Sequence, residues 1–195
     1  MAEPQLVDPN DVVMTGENSF IRLSNDGGKT LTDRVSHWRV LWSPAGSGHA
    51  LFIESSLTGE RPHIYADNAG VARFLQRTIE VMLHKPFANE SLPIAEAEFQ
   101  RTGNSLSTVE ERAVSADGEI ILCFWDLMAP FILTMPPGAM DRPLGVYSTF
   151  IPARSAQLSV NGKAATAKVF LMDRFGKPAS SCCLAWSESW TRPSK

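Results

Sequence analysis

The chain has 195 residues, of which 44% are hydrophobic and 20% charged. These are the proportions of a folded globular domain, and they exclude a disordered tail, a collagen-like repeat and a disulfide-stapled miniprotein. Eighteen Lys and Arg against 21 Asp and Glu leave a net charge of −3. That is too small to draw the chain toward phosphate backbones or anionic membrane surfaces, so neither nucleic acid nor a membrane is expected as a partner.

A single domain over 1–195 is expected. Residues 1–35 are polar and turn-rich and read as a lead-in with short strands. The first residues carry no basic and apolar leader pattern, so no signal peptide is expected. Strands follow over 36–66. His37, Arg39 and Leu41 alternate with Trp38, Val40 and Trp42, the period of a half-buried strand, and turn-rich segments at 44–48 and 58–60 separate the next two.

Residues 68–84 break this pattern. Asp67 or Asn68 can cap a helix, and Val71, Phe74, Leu75, Thr78, Ile79, Met82 and Leu83 recur at spacings of three and four. Lys85 and Pro86 supply the stop. From 94 to 191 the chain reads as antiparallel strands, over 94–102, 106–115, 119–128, 144–152, 156–161, 164–172 and 181–191, interrupted by a proline-rich loop at 129–143. Asn161-Gly162 is the strongest hairpin signal.

The expected architecture is therefore mainly β. It is a single antiparallel barrel or strongly bent sheet, lipocalin-like or calycin-like, with one helix covering an end. A two-sheet sandwich is the alternative.

Cys123, Cys182 and Cys183 form no disulfide or Cys-x-x-Cys pattern and read as small buried hydrophobes, which suits a cytoplasmic setting. The four histidines share no metal-ligand spacing, and no phosphate-cradling or nucleophile-elbow motif occurs, so neither metal nor cofactor is expected.

What stands out is acid on apolar strand faces. Alternation places Asp126 with Ile120, Leu122 and Phe124, and Glu188 with Leu184, Trp186 and Trp190. A carboxylate there needs a partner or a raised pKa, and two in one cavity could divide acid and base roles. His63 and Tyr65 share a face and complete the expected catalytic set as hydrogen-bond donors. Trp38, Arg39, Phe124, Tyr147 and Trp186 are expected to line the ligand.

The function expected is a cofactor-independent acid–base enzyme of isomerase, hydratase, lyase or cyclase type. Its substrate would be a small, largely apolar molecule with a carbonyl, hydroxyl or carboxylate group. A non-catalytic carrier or sensor for a hydrophobic ligand is the alternative, and a homodimer through a sheet face is a third possibility.

Overall fold

The computed structural model describes residues 8–194. The first seven residues of the lead-in, where the leader reading partly falls, lie outside the described residues. Thirteen strands are present among the described residues, and nine of them close a barrel. These are β1 (Val12–Leu23), β2 (Asp33–Trp42), β3 (Gly48–Ser55), β4 (His63–Ala66), β5 (Ile94–Gly103), β6 (Val109–Ser115), β7 (Gly118–Leu127), β9 (Gly145–Val160) and β13 (Cys183–Thr191). Around the ring the order is β9-β13-β1-β2-β3-β4-β5-β6-β7, and β7 pairs back onto β9. Closure leaves these strands no free hydrogen-bonding edge. A closed β-barrel with one helix is thus observed, as expected, but the helix packs on the outer face of the wall instead of covering an end.

Adjacent strands pair antiparallel except β4 and β5, which run parallel. A parallel pair needs a crossover, and the helix provides it. It is α-helical over Ala69–Leu75 and Val81–Leu83, with a π turn at Gln76–Glu80 between them. The Asn68 side chain accepts from the Gly70 and Val71 amides and so caps it. His84 returns to extended backbone ahead of Pro86.

Because side chains alternate, each strand of the wall serves two cores. Ile21, Val35, Leu51, Tyr65, Ala97, Val109, Leu122, Leu158 and Leu184, one from each of the nine strands, meet inside the barrel. Their neighbours on the reverse face of β1–β4 and β13, among them Phe20, Trp38, Phe52, Ile64 and Trp190, build a second core. The helix lays Val71, Leu75 and Ile79 against it. Phe87 adds an edge-on contact with Phe52 at 5.2 Å between centroids. Each such side chain removed from water contributes about 1.5–3 kcal/mol.

Several elements differ from the sequence reading. The lead-in contains β1, a twelve-residue strand at the centre of the wall. The loop at 129–143 contains β8 (Phe131–Met135), which continues the line of β7 along β9. Residues 144–160, read as two strands, form the single sixteen-residue β9. The strand expected over 164–172 is mostly irregular, with β10 at Lys163–Ala164 and a separate pair of β11 (Leu171–Arg174) and β12 (Lys177–Ser180). The Asn161-Gly162 hairpin is present, and both residues have the positive φ that a type I′ turn requires. Cys182 and Cys183 are buried free thiols, while Cys123 is half-buried. Burial pushes the Cys182 thiol up to about 11.

Candidate functional site

One end of the barrel interior is polar. Alternation carries Ser19 on β1, His37 and Arg39 on β2, His49 on β3, Phe99 and Arg101 on β5, and Glu111 on β6 to that end. Six residues, His37, Arg39, His49, Phe99, Gln100 and Arg101, border an open cavity of about 380 Å³.

Glu111 organises this mouth. It is 1% exposed, and its Oε2 lies 2.7 Å from Nδ1 of His37. Its Oε1 accepts from Ser19 Oγ at 2.9 Å and from Arg101 Nε at 2.7 Å. Burial alone would raise its pKa, but His37, Arg101 and Ser19 outweigh that and hold it at about 2. An ionised carboxylate only accepts, so Nδ1 of His37 carries the proton. Nε2 of His37 has no partner.

The His37 ring is nearly parallel to Phe99 at 5.1 Å and to His49 at 5.8 Å. His49 is held in turn by Asp67, whose carboxylate lies 2.7 Å from Nδ1 and accepts the His49 amide. Arg101 is committed to Glu111 and Glu17, and its guanidinium covers the Trp186 ring. Arg39 is half-exposed and lies 3.7 Å from Glu17, so it is the less committed cation of the pair. The mouth therefore presents one oriented imidazole, a second imidazole tied to a carboxylate, a cation and an aromatic wall.

The two acids singled out in the sequence do not meet. Asp126 follows Phe124 along β7, but its backbone has φ of +51° and the β7–β9 register passes over it. Its side chain is turned outward, 54% exposed, and lies 3.5 Å from Arg154. The expectation of a shared cavity is therefore corrected. Ser187, with φ of +53°, does the same on β13. Leu184 and Trp186 face the barrel interior, but after this bulge Glu188 and Trp190 face the second core beside Cys183 and Ala185.

Glu188 is buried and borders a cavity of about 70 Å³ on that reverse face, with Trp190, Arg22 and Arg174 among the other walls. Its Oε1 accepts from Trp190 Nε1 at 2.6 Å. Burial raises its pKa to about 7 against the pull of that bond and of Ser148, and the charge of Glu80 adds to the rise.

Of the other expected residues, Arg39 borders the barrel mouth and Trp186 lies beneath its Arg101. Phe124 is fully buried in the barrel core, and Trp38 donates to Glu80 in the second core at 2.7 Å. Tyr147 is half-buried on β9 and borders neither cavity. His63 and Tyr65 stack at 6.4 Å and border a separate cavity of about 350 Å³ with Arg61 and Asp117. Burial raises the Tyr65 phenol.

Sequence reasoning missed Glu111, Glu80, Arg22 and Arg101. For Arg22 a signal existed, an arginine between Ile21 and Leu23 in a strand. Glu111 sits in a charged run that reads as a solvated face. Among the described residues no group of three or more His, Cys, Asp or Glu could hold a metal ion, and no helix is long and apolar enough to cross a membrane. No family model matches the chain, and no curated protein is significantly similar to it.

Proposed function

We propose that the protein is a cofactor-independent acid–base enzyme acting on a small carbonyl or hydroxyl compound held in the barrel mouth. The observation that carries this reading is the bond from His37 to a buried, ionised Glu111, which leaves Nε2, buried and without a partner, as the free nitrogen of a ring in the wall of a cavity of about 380 Å³. In the neutral ring Nε2 is the basic nitrogen, and the imidazolium formed when it takes a proton is stabilised by the carboxylate behind it. Arg39 would hold a substrate oxygen as charge develops on it, and Phe99 would pack against the carbon skeleton. The same proton returned to a neighbouring atom completes an isomerisation, and returned to a leaving hydroxyl it completes a dehydration. Free thiols at Cys123, Cys182 and Cys183 suit a reducing, cytoplasmic setting.

Solvent exchange tests this even before the natural substrate is identified. Small ketones and 2-oxo acids are incubated with the protein in D₂O, and loss of the α C–H signal is followed by proton NMR. Exchange above the buffer rate is expected, abolished by His37→Gln and retained by Asp126→Asn. Binding without exchange in the wild type would favour the carrier reading, and exchange that survives His37→Gln would remove His37 from the role.

A further inference from the structure

The small cavity on the reverse face of the wall has an excess of positive charge. Arg22 on β1, Arg142 in the segment before β9 and Arg174 on β11 reach it from three separate elements. Among the described residues Arg39, Arg77, Arg101, Arg112, Arg154 and Arg192 have a carboxylate within 4.0 Å; these three have none, and neither do Arg34, Arg61 and Arg73, but only Arg22, Arg142 and Arg174 converge on one cavity. Glu188 shares the cavity but does not reach them, and one of its oxygens is occupied by Trp190.

The three arginines are half-buried, two of them against aromatic rings. The Arg22 guanidinium lies 5.0 Å from the Phe20 ring centre, and Arg174 lies 5.9 Å from Phe20 and 5.4 Å from Phe150. Nε of Arg22 is buried without a partner. Partly desolvated cations are costly to keep in a fold unless something completes them. Burial and the neighbouring arginines lower the Arg22 pKa to about 9, outweighing the opposing charge of Glu80.

The remaining walls are apolar, among them Leu83, Leu133, Met135 and Val146. A volume of about 70 Å³ is roughly the share of two waters, at about 30 Å³ each. That admits a carboxylate with a one-carbon tail, such as acetate. The guanidinium fork matches a planar carboxylate in two parallel hydrogen bonds. We infer that this cavity binds a small organic carboxylate, its head held by Arg22, Arg142 and Arg174 and its short apolar tail against Leu133 and Met135. The site is separate from the barrel mouth. Phe20 and Trp38 face this side of the wall, while their neighbours Ser19 and His37 face the barrel interior.

The full chain is titrated with sodium acetate at fixed ionic strength, following the Trp190 indole N–H by NMR and the melting temperature. Acetamide serves as the neutral isostere and sodium phosphate as an inorganic anion. Saturable acetate binding that shifts the Trp190 signal is expected, with acetamide at least tenfold weaker. Arg174→Met and Arg142→Gln should each weaken acetate at least tenfold, and Arg112→Gln should change nothing. Without acetate, Arg174→Met should melt no lower than the wild type, because it removes an uncompensated charge, whereas an arginine with a purely structural role would lower the melting temperature when replaced. Acetamide binding as well as acetate, phosphate binding in its place, or unchanged acetate affinity in a folded Arg174→Met would each overturn the assignment. Arg142→Gln, in the segment before β9, decides the matter if Arg174→Met does not fold.

Discussion

Nδ1 of His37 on β2 lies 2.7 Å from Oε2 of Glu111 on β6, a bond that crosses the barrel interior between residues 74 positions apart in the chain. It fixes the ring's orientation and gives Glu111 a folded-state pKa of about 2 against 4.5 when free. A depressed acid stabilises the fold fully above its unfolded pKa, and that contribution is lost as pH falls through the folded value. Here the window runs from 4.5 down to about 2, and the contribution is about 3 kcal/mol. Glu111→Gln should be destabilised by about 3–5 kcal/mol at pH 7, since it breaks a buried pair from one side. The gap from wild type should narrow as unfolding is measured at successively lower pH. A gap that stays constant to pH 2 would show that the carboxylate's ionisation is not what stabilises the barrel. The amide would also place a donor against Nδ1, reversing the ring's tautomer and abolishing exchange activity.

Glu188 carries the opposite sign. Its folded pKa of about 7 exceeds the free value of 4.5, so the folded state holds a proton that the unfolded chain has released between those limits. Stability therefore falls as pH rises from 4.5 to 7 and levels off above. Glu188→Gln keeps the neutral shape and removes this dependence. Thermal unfolding should show the variant equal to wild type near pH 4.5 and more stable by up to about 3 kcal/mol at pH 8. Equal stability at both pH values would mean that Glu188 is ionised in the fold throughout.

The barrel and its helix were legible because repeated local patterns specify them. The three-and-four spacing of Val71, Phe74, Leu75, Thr78 and Ile79 marks the helix, and Asn161-Gly162 marks its hairpin. The site was less legible for two physical reasons. Asp126 and Ser187 adopt positive φ without being glycine, and one such residue moves every later side chain of its strand to the other face. Glu111, between Glu110 and Arg112, looks like a solvated position, and only the register with Arg101 and the closure of the barrel bring it to His37. An internal charge network whose members lie on different strands leaves no spacing to read.

The bulge at Ser187 gives a direct test of that account. A non-glycine residue in the left-handed region carries strain of about 1–2 kcal/mol, and a β-branched one carries more. Ser187→Gly should leave stability unchanged or raise it by up to about 1 kcal/mol, whereas Ser187→Val should cost about 2 kcal/mol or more. The Val variant should also shift the Trp190 indole signal, because Trp190 donates to Glu188 immediately beyond the bulge. If Val is tolerated with that signal in place, the left-handed backbone at 187 is not what sets the orientation of Glu188.

Gln76 tests the junction between the helix and the strand it leads to. The π turn carries this residue into the second core, 1% exposed, where its amide donates to the carbonyls of Phe87 and Asn89, each at 2.9 Å. Its oxygen accepts from Arg73, which also donates to the Leu92 carbonyl. The side chain thus satisfies backbone groups of the crossover that delivers β5 parallel to β4, and Arg73 is a strut of that junction. Gln76→Leu keeps the volume but strands two carbonyls and a guanidinium donor, at about 1–3 kcal/mol for each buried group left unpaired. A loss of about 3 kcal/mol or more is expected, which in a chain of this size lowers the melting temperature by roughly 6–12 °C. Hydrogen exchange should quicken first in the amides of residues 84–93, because they lose their anchor while the barrel strands keep theirs. A drop of less than about 2 °C with unchanged exchange there would show that the crossover is held by Phe87 packing alone.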